Sequence, residues 1–170
     1  MRVEHIALWT HDIDRLRAFY ESYFGAQAGP FYRSRTRTAF TSYFLQFPGA
    51  GARLELMSTA GLASAPRGPA VGYAHVALAV GSEAAVDALA ARLQADGVRI
   101  IGAPRRTGGG YYEAVIADPD GNTVEITVRR SLYPSCACFR HWAAANAAVK
   151  LRRVRADVHL PSSDHQCGSH

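Results

Sequence analysis

Lysine and cysteine are both absent from the first 128 residues. The sole lysine, Lys150, and all three cysteines (Cys136, Cys138, Cys167) fall beyond that point. No disulfide framework therefore holds the main body of the chain together. Long apolar runs are missing too, and nothing approaches the roughly 20 residues that a membrane-spanning helix needs. The start carries Arg2, Glu4, His5 and Asp12 where a secretory signal would have an apolar segment. A cytoplasmic location with no membrane partner is expected.

Net charge is missing from the same stretch. Residues 1–128 hold 12 arginines against 12 acidic residues, so the formal +5 resides entirely in residues 129–170. The pI near 9.4 is thus a property of a tail, and a nucleic-acid partner inferred from it is disfavoured. The tail segment "CACFRHWAAANAAVKLRRVRA" suits a basic helix from about residue 139 to 150. Its cysteine and histidine spacing matches no standard zinc motif. Residues 131–170 read as a poorly ordered basic extension appended to a domain over 1–130.

What the chain does have is a repeat. "VEHIALWTHDIDRLRAFYESYFGAQA" aligns with "YAHVALAVGSEAAVDALAARLQADGV", and "ARLELM" with "NTVEIT". Each copy runs from an alternating apolar stretch into an amphipathic helix. Asp12 and Ser82 are the expected N-caps, and Gly25 and Gly97 stand where the helices stop. Leu16, Phe19 and Tyr23 mark one helix face, and Val86, Leu89 and Leu93 the other. The pattern predicts an α+β fold of two tandem βαβββ modules, about 1–60 and 71–128, forming a cupped mixed sheet.

Within this repeat, His5 and Glu55 are 50 residues apart, as are His75 and Glu125. Strand alternation sends neighbouring side chains to opposite faces. Ile6, Leu8, Leu54 and Leu56 then pack on the helix of the first copy, and Val76, Leu78, Val124 and Ile126 on that of the second. His5, Glu55, His75 and Glu125 all point the other way, into the cup. Two carboxylates on such a face need cations or hydrogen bonds. A divalent metal held by two imidazoles and two carboxylates meets that need, while a plain His–Glu hydrogen bond in each copy remains the alternative.

The motifs "HIAL", "AHVALAV" and "DPDGNTVEI" resemble those of the vicinal oxygen chelate superfamily, the glyoxalase and bleomycin-resistance fold, over residues 1 to about 128. The His/Glu/His/Glu set is similar to that of bacterial glyoxalase I. The resemblance implies one divalent metal per site, nickel, cobalt or zinc ahead of iron or manganese. It implies conversion of a 2-oxoaldehyde–thiol hemithioacetal, such as that of methylglyoxal, to an S-2-hydroxyacyl thioester through a metal-stabilised enediolate. Glu125 would then be the proton-transfer base and Glu55 its symmetric partner. Each open half-sheet encloses little by itself, and relatives often pair modules about a two-fold axis, so a homodimer is expected.

The chain also departs from that pattern. Ser22 in "FYESYFG" stands where glyoxalase I commonly has a basic residue, and "TGGGYYEAV" lacks the lysines that often precede the "DPDG" turn. The thiol is therefore open. Arg33, Arg35 and Arg37 are either carboxylate or phosphate anchors or a solvated basic loop. If "ADPDGN" closes a hairpin in which Ala117 pairs with Asn122, Ala114 lies beside Glu125, and Tyr112 and Ile116 share the metal face. The offset of 70 maps Ala114 onto Phe44 and Tyr112 onto Ser42. The expected substrate wall is Trp9, Arg37, Phe40, Ser42, Phe44, Met57 and Tyr112. Rival activities on the same fold are an acyl-CoA epimerase, an Fe(II) extradiol dioxygenase, with Tyr112 available for acid–base work, and a thiol transferase or drug-resistance protein. The last would not need Glu55.

A chain ending at Arg130 is expected to stay soluble and keep the thermal unfolding midpoint of the full chain, because the repeat is complete before the charge discontinuity. Loss of cooperative unfolding in the truncated chain would refute this.

Overall fold

Asp12 and Ser82 each start a helix as expected. In the computed structural model, which describes residues 2–49, 51–63 and 71–128, the Asp12 carboxylate accepts the Arg15 N–H at 3.0 Å. Ser82 Oγ accepts the Ala85 N–H at 3.2 Å. Each thereby satisfies a backbone donor that the first turn leaves free. Helix α1 (Ile13–Phe24) ends at Gly25, whose φ of 64° needs a residue without a Cβ. Helix α2 (Glu83–Ala95) is capped by Asp96, one residue before Gly97. The readings made of the tail lie outside the described residues.

Each module has its own mixed sheet. In the first, β1 (His5–Trp9) pairs in parallel with β5 (Arg53–Ser58). Next comes antiparallel β4 (Thr41–Gln46), which carries the short strands β2 (Gln27–Ala28) and β3 (Tyr32–Arg33). In the second, β6 (Val76–Ala79) pairs in parallel with β9 (Thr123–Thr127), followed by β8 (Tyr112–Ala117) and β7 (Ile100–Arg106). The two βαβββ modules are therefore present, with two sheets in place of one continuous surface. Among the described residues no helix is long and apolar enough to cross a membrane.

One hydrophobic core serves both modules. Leu16, Phe19 and Tyr20 of α1 meet Leu54 and Leu56, and the same cluster takes in Val86, Leu93, Ile116, Val124 and Ile126. The predicted helix faces hold, with Tyr20 and Ala90 as the more deeply buried members of their turns than Tyr23 and Leu89. Polar contacts fasten α1 to the second module. Arg15 Nη2 donates to Asp120 at 2.7 Å, Tyr23 OH to Asp96 at 2.8 Å, and Arg92 Nη1 to the Ser22 carbonyl at 3.2 Å.

The deepest of these contacts is Tyr20 OH donating to Asp118 at 3.2 Å. Asp118 also accepts the N–H groups of Asp120 at 3.0 Å and Asn122 at 2.9 Å, and the Asn122 amide at 2.9 Å. Burial pushes the Asp118 carboxyl up, with those hydrogen bonds opposing it. Burial also pushes the Tyr20 phenol far up, with the neighbouring carboxylate adding to the shift.

The hairpin of the second module differs from its projection. Asp118, not Ala117, faces Asn122, donating its N–H to the Asn122 carbonyl and accepting the Asn122 N–H at its carboxylate, while Ala117 pairs with Thr123 and Val115 with Glu125. The register is one residue off the projected one, and every side chain of β8 lies on the opposite face. Ala114 and Ile116 are core residues, and Glu113 and Val115 face the cup.

Tyr20→Phe should lower the unfolding free energy by about 1.5–3 kcal/mol, the range for a buried hydrogen bond to a charged group, measured by urea denaturation. An unchanged midpoint would show that this bond does not hold the modules together.

Candidate metal centre

The sequence positions the two histidines and two glutamates through identical strand registers. Ala7 pairs with Glu55 across β1 and β5, and Ala77 with Glu125 across β6 and β9. Each histidine lies two residues before the alanine, on the same face, and so reaches its glutamate diagonally. The flanking Leu54, Leu56, Val124 and Ile126 are buried in the core, which fixes the glutamates outward. His5 Nε2 stands 3.8 Å from Glu55 Oε2, and His75 Nε2 stands 3.4 Å from Glu125 Oε2. The first pair is beyond hydrogen-bond reach and the second is long for one. Two donors about 2.1 Å from one ion at tetrahedral or octahedral angles are about 3.0–3.4 Å apart, so His75 and Glu125 already suit adjacent positions on a divalent metal, while His5 and Glu55 would have to close slightly to do so.

The structure brings His5 to Glu55 and His75 to Glu125. It does not gather all four, and no cluster of three or more metal-ligating side chains forms among the described residues. Both pairs are open, with the histidine side chains 40% and 45% exposed and the glutamates 15% and 17%. A cleft of about 500 Å³ lies elsewhere, between residues 96–99 and the turn at residues 117–121, with Phe19 of α1 at its wall. It contains neither pair, and its tightly bonded Asp118 offers less free chemistry than the cup faces do.

Around His5 the first cup face is aromatic. Phe44 meets the His5 ring edge to face at 5.3 Å, and Trp9 meets Phe40 at 6.1 Å. The Arg37 guanidinium stacks on Phe40 at 4.3 Å. Ser42 pairs with Met57 on the same face. Trp9, Arg37, Phe40, Ser42, Phe44 and Met57 are thus neighbours. Tyr112 is not among them. It lies on the helix side of β8, where its OH donates to Asp87 of α2 at 2.7 Å, because of the one-residue register difference.

Glu113 occupies the cup position that Tyr112 was expected to fill, and sequence reasoning missed it. Its carboxylate is buried and accepts Arg105 Nη2 at 3.3 Å. The guanidinium lies so close to Gly102 that a Cβ there would stand 2.6 Å from it, and β7 is irregular between these two residues. Burial pushes the Glu125 carboxyl up, and the Glu113 carboxylate adds to it, while His75 pulls the other way. The available signal was the hairpin length: Phe44 faces Glu55 and Val115 faces Glu125, so the repeat offset is 71 on this strand and 70 elsewhere. Glu4 was also missed. It bonds to His5 Nδ1 and to Arg53, and its place immediately before a candidate ligand was the clue.

Comparison with known proteins agrees with the fold. A family model described as the Glyoxalase/Bleomycin resistance protein/Dioxygenase superfamily matches residues 2–126. Uncharacterized protein PA2024 of Pseudomonas aeruginosa is 34% identical over 133 residues, which cover 76% of this chain and 90% of that protein. Among solved structures, the trypanothione-dependent glyoxalase I of Leishmania major has a TM-score of 0.61 at 23% identity, covering 86% of this chain and 94% of that one. At that identity the likeness concerns the fold. The lactoylglutathione lyase of Agrobacterium tumefaciens has a TM-score of 0.53 at 26% identity, covering 74% of this chain and 92% of that one.

Proposed function

The chain belongs to the glyoxalase/bleomycin resistance protein/dioxygenase superfamily, and from that premise we propose that it is a metal-dependent lyase of the glyoxalase I type. It would convert a 2-oxoaldehyde–thiol hemithioacetal into an S-2-hydroxyacyl thioester. The observation that carries this reading is the twice-repeated His–Glu diagonal on the open faces of the two sheets. The similarity to the lactoylglutathione lyase structure points the same way.

Each chain presents two half-sites, so the complete centre is a composite of two chains. His5 and Glu55 of one protomer meet the second half-site of its partner, and a two-fold axis generates two equal sites per homodimer. The donor set of neutral imidazoles and carboxylates suits nickel, cobalt or zinc. When bound, the ion supplies positive charge that stabilises the oxyanion developing beside the carbon that loses its proton.

The protein's own groups move that proton. Glu125 takes it from the carbon bearing sulfur and returns it to the neighbouring carbon, so nothing is oxidised or reduced overall. Glu113, itself bonded to Arg105, stands beside that carboxylate. Glu55, with Ser42 and Phe44 near it in place of a second carboxylate, serves as its partner on the opposite face. Trp9, Phe40 and Met57 exclude water from the acyl side. An extradiol dioxygenase is disfavoured because Tyr112 is bonded to Asp87 behind the sheet.

Wild-type protein should bind about one divalent metal per chain, and His5→Ala and His75→Ala should each lose it. Mixing the two variants and allowing exchange should restore about a quarter of the wild-type sites, since a mixed dimer has one intact composite site. No restoration would place the centre within one chain. Equal metal in all three proteins would end the metal reading.

Glu125→Gln should keep the fold and reduce turnover by on the order of 100-fold or more. The assay is methylglyoxal with glutathione, bacillithiol or coenzyme A, followed by thioester absorbance. No thioester with any thiol on the metal-loaded dimer would remove the lyase reading and favour the acyl-CoA epimerase, which also uses two carboxylates.

A further inference from the structure

The two half-sites share one backbone register but differ in what supports the histidine. Beside His5, the Glu4 carboxylate bonds to Nδ1 and also accepts Arg53 Nη2. The Arg53 guanidinium lies over the Phe44 ring at 4.3 Å, and Phe44 meets the imidazole edge to face. Glu4 and Phe44 thus contact the imidazole, and Arg53 contacts both of them. In the second module the corresponding residues are Ala74, Thr123 and Val115. Ala74 and Val115 carry no side-chain acceptor, none of the three is an aromatic that could stack on the ring, and among the described residues His75 has no counterpart of this support.

An imidazole offers a lone pair at only one nitrogen, and the hydrogen bond made by the other decides which. With Nδ1–H donated to Glu4, the lone pair is at Nε2, the atom that faces Glu55 across 3.8 Å. Free neutral histidine populates both tautomers and turns about its side-chain bonds. Selecting one tautomer and one ring orientation before the metal arrives removes both costs from binding. Arg53 keeps Glu4 in place by ion pairing, and Phe44 limits ring rotation.

We propose that Glu4, anchored by Arg53, is a positioning residue that holds His5 in its Nδ1-protonated tautomer, so that the His5–Glu55 half-site is pre-organised and the His75–Glu125 half-site adapts to it. The consequence for binding rests on the metal reading above, whereas the hold on the tautomer does not.

Nitrogen-15 NMR of metal-free protein, at a pH where free histidine is neutral, reads the His5 tautomer directly, with His5→Ala identifying the signal. Wild type should show Nδ1 protonated. Glu4→Ala should move His5 toward the Nε2-protonated form, and Glu4→Gln, whose amide oxygen accepts the same hydrogen, should largely retain the wild-type pattern. Nickel titration should show affinity weakened about 10–100-fold in Glu4→Ala and recovered in large part in Glu4→Gln. Glu4 is exposed, so circular dichroism should be unchanged in both variants. An unmoved tautomer in Glu4→Ala, or a moved tautomer with unchanged nickel affinity, would overturn the inference. Absence of nickel binding by wild type, with the tautomer responding as expected, would instead fail the metal reading alone.

Discussion

Alternation along the parallel strand pairs is the constraint on which the rest depends. In β5 and β9 the leucine, valine and isoleucine side chains are driven inward by burial, each worth about 1.5–3 kcal/mol relative to exposure. That drive leaves the intervening glutamates no choice but the open face. Shifting either strand by one residue would bury a carboxylate and expose two aliphatic side chains, a cost of the same order as the whole stability of a typical folded domain. Placement of the candidate centre is therefore a by-product of core formation. The glutamates need no interaction of their own to be held outward, and this frees them for chemistry.

The modules meet through α1, whose Tyr20 reaches into the turn that closes the second sheet. Buried carboxylates are costly unless well bonded, and Asp118 receives donors from the tyrosine, two backbone amides and an asparagine side chain. The turn residues thus couple the geometry of the β8–β9 hairpin to the packing of the first module. They bond to α1 on the helix side, and they set the register that places Glu113 and Val115 in the cup.

Much of this was legible in the chain itself. The caps Asp12 and Ser82, the helix faces and the outward direction of all four His and Glu residues follow from periodicity, because burial enforces a period of two or 3.6 along each element. The β8 face did not follow. Hairpin registers depend on turn geometry, and the turn after Ala117 closes at Asp118, so an offset exact for His and Glu misplaced Tyr112 by one position. Supporting contacts were equally illegible: Arg105 meets Glu113 and Arg53 meets Glu4 through side-chain conformations that no spacing rule specifies. Alternation finds what faces the cup, while pairing within the cup depends on tertiary structure.

Gly102 carries a constraint of its own. The Arg105 guanidinium occupies the space that a side chain at that position would claim, so the two positions are linked as a lock and its empty keyhole. An alanine at 102 would meet that guanidinium, the flexible end of its side chain, which would have to shift to make room while it bonds Glu113. Space at 102 and the placement of the Arg105 side chain are thus linked, and the link extends to the ion pair with Glu113. A stretch of β7 that looks ornamental in isolation is in this sense bound to the electrostatics of a glutamate on the neighbouring strand.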